Sequence, residues 1–209
     1  VTMRIRFGRR EILDLFAAWI ALSVAFTLFL NPYLLEGATV APIEDVFWAF
    51  ARELLMSLGT VGVAFVLHEL AHKVVAVRFG QVAAFRADYG MLFLAVVSAL
   101  AGFIFAAPGA VVHRGRITPR ESGLIALAGP VTNLALAAAF LPVALLAAST
   151  ASAVATFGVT INLLLAGFNM LPVGPLDGKT VLRWDRRVYA GVAIPSIVLA
   201  VAALFGPGL

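Results

Sequence analysis

Val66-Leu67-His68-Glu69-Leu70-Ala71-His72-Lys73 sits inside an apolar run that extends over roughly residues 46 to 79. A run of that length exceeds the roughly 20 residues a helix needs to cross about 30 Å of hydrocarbon, so it predicts a membrane-spanning helix. Residues four apart on a helix lie one above the other on one face, and His68 and His72 can therefore reach a single metal ion. Glu69 stands beside the first of them, where its carboxylate can take a proton from a water that the metal activates. The plainer alternative is a polar helix end with two histidines facing water. Ionisable groups inside an apolar helix are costly and usually functional, which favours the metal. Arg78 follows His72 by six residues, about 9 Å of helix at 1.5 Å per residue, so this reading sets the site inside the bilayer near its cytoplasmic face.

The composition beyond that run points the same way. Of the 209 residues, 62% are hydrophobic and 12% charged, a balance that does not suit a soluble surface. Further candidate spans lie at 12 to 30, 122 to 148, 154 to 171 and 188 to 206. Basic residues gather between the runs: Arg4, Arg6, Arg9 and Arg10; Lys73, Arg78 and Arg86; Arg114, Arg116 and Arg120; Arg183, Arg186 and Arg187. Short-loop clusters of this kind mark the cytoplasmic side and predict a cytoplasmic N-terminus in a multi-pass protein of the cell membrane. The segment from Asn31 to Asp45 carries acids but no Lys or Arg, and the link near Ser149 to Ser152 is uncharged, so both are expected outside. The same clustering accounts for the net charge of +4 without nucleic acid. No small-residue cleavage site follows the first span, and Asn31-Pro32 reads as a helix end, so that span is expected to be retained.

A sixth apolar segment, Met91 to Ala107, has basic residues on both sides and cannot be a simple crossing. It is expected to dip in and return, around Gly102 or Pro108-Gly109, which requires protein or water around its irregular backbone. Gln81 to Tyr89 and Ala110 to Thr118 carry β-branched and aromatic residues beside turn formers, and read either as short strands or as plain loop. The expected fold is thus an all-α polytopic membrane protein with about five to six transmembrane helices, a membrane-dipping segment and short β-strands as an option between the motif helix and the next core helix.

Two histidines leave a metal site short, because catalytic zinc generally takes three protein ligands and leaves a fourth position open. There are no cysteines, so a third ligand must be His, Asp or Glu. His113, beside Arg114, reads as a solvated loop residue. The better candidate is Asp177, in Asn169-Met170-Leu171-Pro172-Val173-Gly174-Pro175-Leu176-Asp177-Gly178, where two prolines break the preceding helix and leave a carboxylate on irregular chain. A helix-capping aspartate at a span boundary is the alternative for Asp177 taken alone.

With Gly129-Pro130-Val131-Thr132-Asn133 added, the motifs and their order resemble those of the site-2 proteases, intramembrane zinc metalloproteases, over roughly Val61 to Leu182. The resemblance implies one zinc ion bound by His68, His72 and Asp177, with Glu69 as general base and then acid. It also implies that Asn133 and Asn169 lie near the active centre, where their amides would support the substrate or the developing oxyanion. Asn162 is read as structural, and Gly129 and Pro130 as helix packing with a local kink. A single membrane-embedded domain is expected, with its catalytic core at about 46 to 182 and neither of the PDZ or CBS domains that accompany many family members. The implied activity is hydrolysis of peptide bonds in transmembrane protein substrates, in the manner of regulated intramembrane proteolysis. A metal-binding transporter or a catalytically dead scaffold are the competing classes. Neither needs the carboxylate of Glu69 beside a metal-binding histidine, and no symmetric halves are visible.

Overall fold

The computed structural model describes residues 5–104, 108–148 and 150–205. Among them, five helices are long and apolar enough to cross a membrane: α1 (Arg9–Leu30), the continuous helix Ile43–Arg78, α6 (Pro119–Leu146), α7 (Thr150–Asn169) and α9 (Arg186–Phe205). Each coincides with an apolar run read from the sequence, and the protein is an all-α polytopic membrane protein. Ile43–Arg78 comprises α3 (Ile43–Ser57), one π-helical turn (Leu58–Gly62) and α4 (Val63–Arg78), which carries the motif. The shorter helices are α2 (Tyr33–Val40), α5 (Tyr89–Leu100) and α8 (Asp177–Trp184).

The two segments left open between strand and loop are strands, β1 (Val82–Ala87) and β2 (Gly109–Arg114), paired as a two-stranded sheet. That pairing explains the segment between them. α5 has 12 residues, about 18 Å of helix and too little to cross the hydrocarbon. It is capped by the Asp88 carboxylate, which accepts from Met91 N at 3.0 Å, and it stops at Gly102, whose positive φ of 82° suits glycine alone. Asp88 N donates to Pro108 O at 3.0 Å, so the segment leaves and returns at adjacent points. Residues 105–107 lie outside the described residues.

The chain forms two compact units. One comprises Gly8–Val63 and Phe85–Ala110. Within it, α1 packs against α5 through Ala25, Ala95 and Ala99, small residues that let helices approach closely in lipid. The π-turn leaves backbone carbonyls without their usual helical donors. Trp19 of α1 meets this need, its Nε1 donating to Leu58 O at 2.9 Å. Gly62 makes room for that indole, since a Cβ there would fall on the Trp19 ring. Glu11 and Asp14, both buried on α1, bind Phe85 N at 3.1 Å and Tyr89 Oη at 2.8 Å.

The other unit comprises Val1–Phe7, Ala64–Ala84 and Val111–Leu209. α4 ends where Gly80 takes φ 82°, with Gln81 N donating back to Ala76 O at 3.0 Å. α6 opens with Pro119 in its first turn and a capping box in which Thr118 and Glu121 satisfy each other's backbone N–H groups. Ala137 and Ala144 of α6 meet Ala155 and Val159 of α7, and α8 is held over Ala126 of α6 by Met170, Val181 and Trp184.

Candidate metal centre

α4 buries His68, Glu69 and His72 on the side of the helix that faces protein. The imidazoles lie edge to face with centroids 4.6 Å apart, as the spacing of four residues requires. Asp177, the first residue of α8, brings Oδ2 to 3.2 Å from His68 Nε2 and 3.3 Å from His72 Nε2. Four backbone features hold it there. Pro172 and Pro175 end the path of α7 after Asn169. Gly178 fits against Met170 O, where a Cβ would overlap that carbonyl, and Gly123 of α6 leaves the space that Trp184 of α8 fills.

The other face of each imidazole is also engaged. His68 Nδ1 is 2.5 Å from Asn133 Oδ1, and His72 Nδ1 is 2.7 Å from Ile125 O. A carbonyl can only accept, so Nδ1 of His72 carries a hydrogen and Nε2 is the ring atom left to face a metal. Ile125 O lies beside Ala126 O, the α6 carbonyl to which Pro130 cannot donate. Both Nε2 atoms therefore converge with a carboxylate oxygen on one point.

This donor set fits zinc. Two imidazole nitrogens and one carboxylate oxygen, all within 4.8 Å of one another, are the only such group among the described residues. Tetrahedral ligands at about 2.05 Å from a zinc ion stand about 3.3 Å apart, the spacing found between Asp177 Oδ2 and each Nε2. Burial acts to raise the Asp177 carboxyl, but the charge and hydrogen bonds of His72 and His68 outweigh it and hold the group down at about 2, so it is an anionic donor.

Two further residues shape the space. Gly129 of α6 lies against the metal-facing atoms: a Cβ there would be 2.5 Å from His72 Nε2 and would overlap His68 Nε2 as well. In sequence this glycine reads as packing alone, because nothing there shows that imidazoles approach from 57 and 61 residues away. Glu69 has the backbone of Val111 within hydrogen-bonding reach, while its Oε2 is buried without a partner among the described residues. A buried carboxylate oxygen without a donor is costly unless a ligand supplies one.

The two asparagines fare differently. Asn133 is fully buried, and both ends of its amide are used: Oδ1 by His68, Nδ2 by Asn162 Oδ1 at 2.9 Å and Ala64 O at 3.4 Å. Asn169 ends α7, with Nδ2 donating to Leu165 O of its own helix at 2.9 Å. His113 lies on β2, outside the cluster.

No family model matches the chain, and no solved structure matches it. Curated proteins do. It is 40% identical over 196 residues to MJ0611 of Methanocaldococcus jannaschii, covering 92% of this chain and 93% of that protein. It is 35% identical over 143 residues to YwhC of Bacillus subtilis, covering 59% of this chain and 65% of that one. It is also 35% identical over 162 residues to Rip3 of Mycobacterium tuberculosis, covering 68% of this chain but 37% of that longer protein. All three bear provisional zinc-metalloprotease names.

Proposed function

Since the chain belongs to the site-2 protease-like family of zinc metalloproteases, we propose that it hydrolyses peptide bonds of transmembrane protein substrates within the bilayer, with His68, His72 and Asp177 as the zinc ligands and Glu69 as the general base. The observation that carries this reading is the convergence of two Nε2 atoms and one carboxylate oxygen beside a buried carboxylate whose Oε2 has no partner among the described residues, on a helix long and apolar enough to span a membrane. Bound zinc would supply Lewis acidity and a water acidic enough to be deprotonated near neutral pH. Glu69 receives that proton on Oε2 and returns it to the departing amide nitrogen, so one carboxylate serves both halves of the hydrolysis. Asn133 holds His68 in place and has no free amide atom to offer a substrate. Asn169, half-buried at the end of α7, retains its Oδ1 for a substrate N–H.

A substrate helix hides its carbonyls in its own hydrogen bonds and must unwind before attack, so helix-weak segments are the expected targets. Among the described residues β2 pairs with β1 alone, and it passes Glu69 at Val111. An unwound substrate can add to β2 as a further strand. The basic clusters support a cytoplasmic N-terminus, and the short distance from His72 to Arg78 supports a site near the cytoplasmic face. The test is cleavage of a tagged single-span substrate with a glycine-rich break, by protein reconstituted in liposomes. Cleavage is expected to stop on chelation and return with zinc. Zinc-loaded protein that cuts no member of a helix-weak panel, yet moves zinc across the vesicle, would replace the protease with a transporter.

A further inference from the structure

We propose that Asn162, a buried amide on α7 hydrogen-bonded to none of the three proposed metal ligands, sets the tautomer and orientation of His68 through Asn133 and is thereby a positioning residue for the metal centre; this rests on the zinc-binding reading of His68, His72 and Asp177.

The argument begins at Gly158, whose carbonyl oxygen can only accept. Asn162 Nδ2 donates to it at 2.8 Å. Asn162 must then turn Oδ1 the other way, toward Asn133, whose Nδ2 donates to it at 2.9 Å. Asn133 in turn has only Oδ1 left for His68, and Oδ1 can accept only if His68 carries its hydrogen on Nδ1. Nε2 of His68 is thereby the nitrogen turned toward Asp177 Oδ2, 3.2 Å away. One backbone carbonyl on α7 thus fixes the polarity of three side chains in series. Asn133 and Asn162 are 0% and 1% exposed, so no water competes for either amide. The secondary contact of Asn133 Nδ2 with Ala64 O, at 3.4 Å, points the same way but is long for a hydrogen bond.

Intramembrane asparagines also act as plain glue between helices. Glue would need Asn133 and Asn162 to bond each other in either sense. The relay requires one sense only, because the opposite flip would set two acceptors against each other at Gly158.

Groups that orient metal-binding imidazoles typically change affinity 10- to 100-fold when removed. The experiment compares the wild-type chain, Asn162→Leu and Asn162→Asp in detergent. Zinc affinity is measured by competition with a chromogenic chelator, and the histidine tautomers by 15N NMR of histidine-labelled protein, where the chain has three histidines to assign. Asn162→Leu is expected to weaken zinc about tenfold or more and to give His68 a mixture of Nδ1–H and Nε2–H forms in the metal-free protein. Asn162→Asp, which when protonated offers an O–H donor in place of the amide N–H and keeps the C=O acceptor, is expected to restore both readouts. Folded Asn162→Leu with wild-type zinc affinity and an unchanged His68 tautomer would overturn the proposal. Should Asn162→Leu fail to fold, Asn162→Asp decides: one tautomer and near-wild-type affinity support the relay, and a mixed tautomer sinks it. Failure of the underlying reading looks different: wild type itself would bind zinc no better than His68→Ala.

Discussion

Replacing Gly129 with alanine adds one methyl group to α6 and is expected to expel the metal. The added carbon would lie 2.5 Å from His72 Nε2, whereas carbon contacts are comfortable at about 3.5 Å, so the ring must retreat by about 1 Å. His68 faces the same pressure from the same atom. Neither ring can swing freely, because each is tied at Nδ1, one to Asn133 and one to Ile125 O. Metal–ligand distances tolerate about 0.2 Å, several times less than the displacement required. Zinc affinity should therefore fall by at least about 100-fold, or about 2.7 kcal/mol. The fold should survive, since alanine is favoured over glycine inside a helix by about 1 kcal/mol and that gain offsets part of the clash. The assay is chelator competition together with thermal unfolding with and without zinc. Wild type should unfold at higher temperature when zinc is added, as any ligand that binds only the folded state requires. Gly129→Ala should show no such shift. A variant that holds zinc with wild-type affinity would refute the reasoning, because the two Nε2 atoms could not then converge beside Gly129.

Three other outcomes are expected. Gly178→Val should drive the start of α8 off Met170 O and reproduce the zinc loss of Asp177→Ala, measured by metal content after dialysis. Val111→Pro removes the backbone N–H beside Glu69 on the outer edge of β2; substrate cleavage should drop at least about tenfold with zinc content unchanged. Gly62→Leu must displace Trp19 from Leu58 O and should cost about 1–3 kcal/mol of stability, read from the unfolding midpoint in detergent.

Most of the architecture is legible in the chain because lipid imposes a coarse rule: long apolar runs become helices, and Arg9, Arg78, Pro119, Thr150 and Arg186 stand where those helices begin or end. The strands of 82 to 87 and 109 to 114 are harder, since short β-branched stretches pair only if a partner is present, and here the partner lies beyond α5. At the metal centre, the spacing of His68, Glu69 and His72 is a local property of one helix and can be read directly. Asp177 is legible as a candidate from the prolines that break the chain before it, but its approach to the histidines depends on the turn after α7. Gly129, Asn162 and Ile125 O are invisible in sequence for a physical reason. A missing side chain, a neutral amide and a backbone carbonyl carry no local chemical mark, and each acquires its part only when α6 and α7 bring it beside an imidazole. Asn133 shows the intermediate case: the motif locates it near the centre, while its partner, His68 Nδ1 rather than a substrate, follows from contacts 65 residues apart.

The most direct test of the account compares wild type with Glu69→Gln on a tagged single-span substrate in liposomes, with zinc content determined for both. The account predicts equal zinc in the two proteins and at least about a 100-fold loss of cleavage in the variant, the usual scale of general acid–base catalysis. Equal cleavage by the two zinc-loaded proteins would contradict it and remove Glu69 from the reaction.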